Sequence, residues 1–172
     1  MALHLIIDGY NVIRLTPVWQ ELDAMDLRQG REALLASLAA YRRTKKHPIT
    51  VVFDGGESVE ISGNRDYYQG ILILYSHRGE KADDVIKRLV ARERERSLVI
   101  SSDREIVEYA LKAGAAVMSA PEFSCRLQMT GDTAWTEDEV AETHHLPGTK
   151  KKGPAHRAPK KLRRLHVRLK KI

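Results

Sequence analysis

Four aspartates stand where a chain of alternating strands and helices would gather them. Asp8 ends the apolar run Leu3-His4-Leu5-Ile6-Ile7, and Asp54 ends Ile49-Thr50-Val51-Val52-Phe53. Asp103 ends Ser97-Leu98-Val99-Ile100-Ser101-Ser102, and Asp83 opens the helix-like stretch Ala82-Asp83-Asp84-Val85-Ile86. In an open α/β sheet the carboxyl ends of the strands form the ligand-binding edge. Two carboxylates about 5 Å apart repel by roughly 3 kcal/mol at an effective dielectric of 20. A set of four therefore calls for a cation, and an all-oxygen donor set suits Mg²⁺ or Mn²⁺.

Each acid also has a plainer structural use. In Asp8-Gly9-Tyr10-Asn11, Gly9 lets backbone approach a ligand and Asn11 offers a donor and an acceptor, yet Asp before Gly also caps turns. Asp54-Gly55-Gly56 repeats the pattern one strand further out, where a carboxylate would tune the site or cap a turn. Glu80, Asp83 and Asp84 sit at a helix start and complement its dipole. With Val85 and Ile86 facing inward, Asp83 is the favoured ligand, with Asp84 as a second candidate. Asp103 is equally a natural N-cap, and Ser101 and Ser102 have hydroxyls for a metal-bound water, a phosphate oxygen or backbone.

Other chemistries lack their residues. No Gly-x-Gly-x-x-Gly follows Asp8 and no P-loop is present. Tyr10 stands where an aspartyl-phosphate phosphatase needs a second Asp. His144-His145 lacks a cysteine partner for zinc. Cys125 is the only cysteine, so no intrachain disulfide is expected and a reducing cytoplasm is the expected home. The N-terminus enters a strand without a basic region, so no signal peptide is expected. No apolar run approaches the roughly 20 residues that a membrane helix requires.

The elements that must position the acids read as strands over Leu3–Asp8, Ile49–Asp54, Ile71–Ser76, Leu98–Ser102 and Ala115–Ser119. Helices are predicted from an Asp26 cap to about Arg43 (Leu27, Leu34, Leu38 and Tyr41 inward), over Glu80–Glu95, from Asp103 or Arg104 to Ala113 with a stop at Gly114, and from Pro121 to about Met129. Gly55–Gly70 reads as a loop. Arg65, Tyr67, Tyr68, His77 and Arg78 would then lie on loops near the acids, where they stack on bases or simply pack the loop down. Strands alternating with helices imply βαβ units, right-handed crossovers and a mainly parallel, doubly wound sheet covered on both faces.

Charge divides the 172-residue chain. Residues 147–172 carry eleven of the 29 basic residues and no acid, leaving 18 basic and 23 acidic residues in 1–146, a net of −5 against +11. Leu146-Pro147-Gly148 is the expected boundary between a domain (1–146) and a tail (147–172), and Thr136–Val140 reads as a short helix. Such a basic block points to nucleic acid or an anionic surface, or else to a solvated tail. Leu162, Leu165, Leu169 and Ile172 form an apolar stripe that would order on RNA, on lipid or against the domain.

Taken in order, Asp8-Gly9-Tyr10-Asn11 after an apolar strand, Phe53-Asp54-Gly55, Ala82-Asp83-Asp84-Val85-Ile86 and Ser101-Ser102-Asp103 resemble the NYN domain of the PIN-like nuclease superfamily, in its bacterial YacP-like branch. The resemblance covers about residues 3–130. It implies a PIN-like three-layer sandwich with five main strands in the order 3-2-1-4-5, Mg²⁺ or Mn²⁺ dependence and endoribonuclease activity. It also implies ligand carboxylates at Asp8, Asp83 and Asp103, with Asn11 and Asp54 at the periphery of the site. The fourth acid is Asp54, Asp84 or Glu80. Members of this branch are associated with mRNA decay and ribosomes. Lys150, Lys151, Lys152, Arg157, Lys160, Lys161, Arg163 and Arg164 of the tail, with Arg65 and Arg78, would then contact RNA. The competing expectation is a PIN-like module that binds RNA or ribosomes without cutting.

Overall fold

The computed structural model describes residues 3–55 and 64–131. Strand β1 (His4–Asp8) leads into helices α1 (Gly9–Arg14), α2 (Pro17–Met25) and α3 (Leu27–Lys45). There follow β2 (Ile49–Phe53), β3 (Arg65–Tyr68), β4 (Ile71–Tyr75) and α4 (Ala82–Glu93). The described chain ends with β5 (Ser97–Ile100), α5 (Arg104–Ala113), β6 (Ala116–Met118) and α6 (Ala120–Gly131).

The sheet runs β3-β4-β2-β1-β5-β6 and is parallel except for β3. With β3 set aside, this is the expected 3-2-1-4-5 order. The central strands read as continuous apolar runs because both faces are covered. Every residue of β2 and β5 is buried. On one face, Ile6, Val52 and Val99 pack beneath Val85, Ile86, Leu89 and Val90 of α4 and Ile106 and Ala110 of α5. On the other lie α1, α3 and α6, where Tyr41 of α3 meets Phe123 of α6 at a ring separation of 6.0 Å. Each fully buried side chain of this size contributes roughly 1.5–3 kcal/mol relative to exposure.

Three expectations are corrected. Residues 65–68 are an edge strand rather than loop. Gln69 (φ 46°) and Gly70 (φ 80°) make a two-residue turn with both central residues left-handed, which pairs Tyr68 with Ile71 and Arg65 with Leu74. The polar, exposed face of this strand concealed its alternation from a search for apolar runs. Arg65, Tyr67 and Tyr68 therefore sit on the sheet itself. Leu27 is 51% exposed, because burial in α3 begins only at Gly30 and continues through Leu34, Leu38 and Tyr41. Finally, α4 starts at Ala82 rather than Glu80, with Lys81 as its cap residue.

Two helices, α1 and α2, occupy residues left unassigned by the periodicity. Asp8 caps the first, and Pro17 opens the second at the position where its missing N–H costs nothing. Asp26, Asp103 and Gly114 act as expected, the first two as N-caps and Gly114 as the left-handed stop (φ 89°). The Thr136–Val140 helix, His144-His145, the boundary at 146/147 and the whole tail lie outside the described residues. Among the described residues no helix is long and apolar enough to cross a membrane.

Candidate functional site

The sheet reverses its winding between β1 and β5, and there their exits diverge. Backbone N–H groups at such a split need side-chain acceptors. Asp8 and Ser101 stand on either side. The Asp8 carboxylate is buried and accepts the Asn11 N–H at 3.3 Å and the Ser101 Oγ–H at 3.0 Å. Ser101 Oγ in turn accepts the Asp103 N–H at 3.1 Å. Asn11 Oδ1 accepts the Ser102 N–H at 2.8 Å, and Ser102 Oγ accepts the Ala120 N–H at 3.1 Å. The Asp-Gly-Tyr-Asn and Ser-Ser-Asp segments thus form one hydrogen-bonded unit across the crevice.

The other acids are placed by helix starts. Asp103 Oδ1 accepts the Glu105 and Ile106 N–H groups at 2.8 and 3.2 Å. Asp54, just past β2, accepts the Ala82 N–H at 2.8 Å and so caps α4 from a neighbouring strand. It also takes the Ser76 hydroxyl at 3.4 Å, while Ser76 Oγ accepts the Gly55 N–H at 3.0 Å. Asp83 lies in the first turn of the helix that Asp54 caps. Ser76 is a site residue that sequence reasoning missed, although the rule that found the acids (polar residue directly after an apolar strand) applies to it.

Asp8 and Asp83 both feel neighbouring carboxylates. Burial pushes the Asp8 carboxyl up to about 6, with the charges of Asp83 and Asp103 adding to the rise and the bonds from Ser101 and Asn11 opposing it. Asp83 is also raised, first by burial and then by Asp103 and Asp54, with Lys87 opposing. Lys87 is itself paired with Glu105. Of the three candidates for the fourth acid, Asp54 is the one whose charge acts on Asp83. Glu80 instead pairs with Arg88 and accepts the His77 N–H at 3.2 Å. Asp84 is exposed, and its charge acts on Lys87 and Arg88.

A divalent ion suits this donor set chemically, since every candidate ligand is a carboxylate oxygen whose proton affinity is raised or which raises that of a neighbour. Among the described residues no three His, Cys, Asp or Glu side chains group closely enough to hold an ion by themselves.

Of the expected RNA-contact residues, Arg65 and Tyr67 are exposed on β3, Tyr68 is half-buried beside them, and Arg78 is exposed before α4. The tail residues lie outside the described chain.

A family model described as YacP-like NYN domain matches residues 5–165. The uncharacterized protein YacP of Bacillus subtilis (strain 168) is 27% identical over 85 residues, 49% of this chain and 49% of that one. The match therefore spans about half the length of this curated relative. Two crystal structures of Rae1 (YacP) from Bacillus subtilis, one of a point mutant, superpose with TM-scores of 0.63 and 0.62 at 24% identity. Each covers 76% of this chain, and 76% and 77% of the respective Rae1 chains, which is agreement of fold. NYN and PIN-like domains are nuclease-type domains that commonly use divalent metals. With the match running nearly end to end, this chain belongs to the family of YacP-like NYN domains.

Proposed function

We propose that the chain is a Mg²⁺- or Mn²⁺-dependent endoribonuclease of the cytoplasm, acting on mRNA in its decay and in association with ribosomes. The observation that carries this reading is the convergence of Asp8, Asp54, Asp83 and Asp103 at one sheet edge, where two of them are held above the ordinary carboxylate range. Burial is the first cause of both rises and the neighbouring charges add to it, and packing alone gains nothing from placing carboxylates so. Asp8, Asp83 and Asp103 would hold the ion, with Asp54, Asn11 and Asp84 at its margin. When bound, the ion supplies an activated water and neutralises charge growing on the phosphate.

The chain's own residues provide orientation. Ser101 and Asn11 fix the Asp8 carboxylate from both sides, and the first N–H groups of α5 fix Asp103. A domain of net −5 repels RNA, so the +11 tail, with Lys150, Lys151, Lys152, Arg157, Lys160, Lys161, Arg163 and Arg164, gives it affinity. Removing 147–172 should weaken RNA binding and flatten its salt dependence by about 0.7 in log–log slope for each phosphate that the tail no longer neutralises. An unchanged slope, read by anisotropy across a salt series, would assign the tail another role.

The deciding experiment incubates the purified chain with polysomal RNA, with and without Mn²⁺, and maps new ends. Cleavage that requires Mn²⁺ and disappears in Asp8→Asn supports the enzyme; cleavage that survives either change overturns the assignment. A second reading, an RNA- or ribosome-binding module that does not cut, is favoured by one observation. The carboxylates of Asp8, Asp54 and Asp103 already accept protein hydrogen bonds. Tight RNA binding without new ends under any divalent ion would establish that reading.

A further inference from the structure

An aromatic row runs along the same carboxyl edge. Tyr10, two residues past Asp8, meets Phe53 edge-on with ring centroids 5.1 Å apart. Phe53, directly before Asp54, stacks with Tyr75 at 6.0 Å and an interplanar angle of 27°. Tyr75 directly precedes Ser76, the residue bonded to Asp54. Phe53 is fully buried, while Tyr10 and Tyr75 are half-exposed, so the row is anchored in the middle and open at both ends. Gly9 makes room for it, because a Cβ there would stand 2.2 Å from the Phe53 ring.

The arginines divide by location. Around α4, α5 and α6 they pair with glutamates: Arg88 with Glu80, Arg92 and Arg96 with Glu93, Arg104 with Glu108, and Arg126 with Glu122. Beside the aromatic row they do not. The exposed Arg14 lies over the Tyr10 ring, 5.4 Å from its centroid, and Arg65 lies over Tyr67 at the same distance. Neither pairs with a carboxylate among the described residues. Arg31 is near enough to Tyr75 for its charge to oppose the rise that burial imposes on that phenol. A guanidinium resting on a ring presents a flat, weakly hydrated surface that can stack on a base and neutralise a phosphate.

We infer that Tyr10 with Arg14 is the stacking platform for the base beside the scissile phosphate, and that the substrate strand runs from the acids along Tyr75 towards Arg65 and Tyr67. This rests on the nuclease reading above and adds to it a pair of base-positioning residues. Asp8 and Tyr10 are two residues apart, at most about 7 Å between Cα atoms. A base held on Tyr10 therefore keeps its own phosphate beside the carboxylates. A base inside a duplex is already stacked and cannot use the platform, whereas an unpaired one gains by it.

The test uses the full chain in EDTA, so that binding is read without cleavage, and at salt high enough to screen the tail. The probe is a short oligoribonucleotide carrying one 2-aminopurine, measured single-stranded and as a duplex. The wild type should quench 2-aminopurine fluorescence on the single strand and bind the duplex more weakly. Arg14→Gln, an exposed change that spares the fold, and Tyr10→Leu should each weaken single-strand binding roughly 5- to 150-fold and remove the quench. Tyr10→Phe, which keeps the contact with Phe53, should retain both. Equal quench and affinity in Arg14→Gln and Tyr10→Leu, or preference for the duplex, overturns the platform. The two readings fail separately: a lost platform leaves Mn²⁺-dependent cleavage standing, and an absence of cleavage leaves the quench standing.

Discussion

Ser101 ties Asp8 to the opposite side of the crevice, its hydroxyl donating to the buried carboxylate at 3.0 Å while its oxygen accepts the Asp103 N–H at 3.1 Å. One hydroxyl thus sets the separation of two of the four acids. Ser101→Ala leaves a buried carboxylate oxygen and a backbone N–H without this partner. It should lower stability in urea by roughly 1–3 kcal/mol at pH 7. It should also raise the apparent pKa of Asp8 further, since the Ser101 bond opposes the rise caused by burial. Carboxyl NMR titration reads the second effect. A stable variant with an unmoved Asp8 titration would show that the tie carries no load.

Asp8 itself should limit the stability of the ion-free protein. Its carboxyl is raised from 3.8 to about 6 by burial, so the folded state holds the proton more tightly than the unfolded chain does. Ionised Asp8 then costs about 3 kcal/mol above pH 6. The cost is relieved as pH falls from 6 towards 4 and is absent below, where both states are protonated. Asp8→Asn carries no charge and keeps one acceptor oxygen for the Asn11 N–H, with its amide NH₂ facing Ser101 Oγ in place of the second carboxylate oxygen. In EDTA it should melt higher than wild type at pH 7–8 and equally near pH 4, and it should lose cleavage. A variant that melts lower at every pH would remove burial as the cause of the shift.

How much of this was legible depended on what held each residue. The apolar runs around Ile6, Val52 and Val99 announced a sheet covered on both faces, and ordered strand ends placed Asp8, Asp54 and Asp103 on one edge. The parallel pairing followed from the alternation of strands with helices, and the strand order from the resemblance. Residues held by long-range polar contacts were not legible. Ser76 matters because it bonds Asp54 across two strands. Asp54 caps α4 from 28 positions away, which no local window detects. β3 was hidden because its four residues are mostly exposed and present no apolar face. Glu80 reads with Asp83 as part of one helix start, but the helix begins after it, and Arg88 takes its charge.

Gly9 offers a test in which two effects oppose each other. It is the first residue of α1, where alanine would ordinarily gain up to about 1 kcal/mol in helix propensity. A Cβ there would stand 2.2 Å from the Phe53 ring, which is fully buried. Crowding should win, so Gly9→Ala should cost roughly 1–3 kcal/mol in urea. It should also shift the near-UV circular dichroism of the Tyr10–Phe53–Tyr75 row. A gain in stability would mean that the ring moves freely and that the row is not anchored.

Asp103 has two jobs that substitution can separate. Its Oδ1 caps α5 through Glu105 and Ile106, and its charge raises Asp8 and Asp83. Asp103→Ala removes both and should cost about 1 kcal/mol through the lost cap. Asp103→Ser keeps a capping oxygen and removes only the charge, so most of that stability should return. If Asp103 also helps to hold the ion, the serine variant should still bind Mn²⁺ more weakly than wild type in calorimetry, despite its intact cap. The titrations of Asp8 and Asp83 should both fall in Asp103→Ser, because a neighbouring negative charge has gone. Undiminished Mn²⁺ affinity in a well-folded Asp103→Ser protein would reduce this residue to a helix cap and leave Asp8 and Asp83 as the pair on which any ion depends.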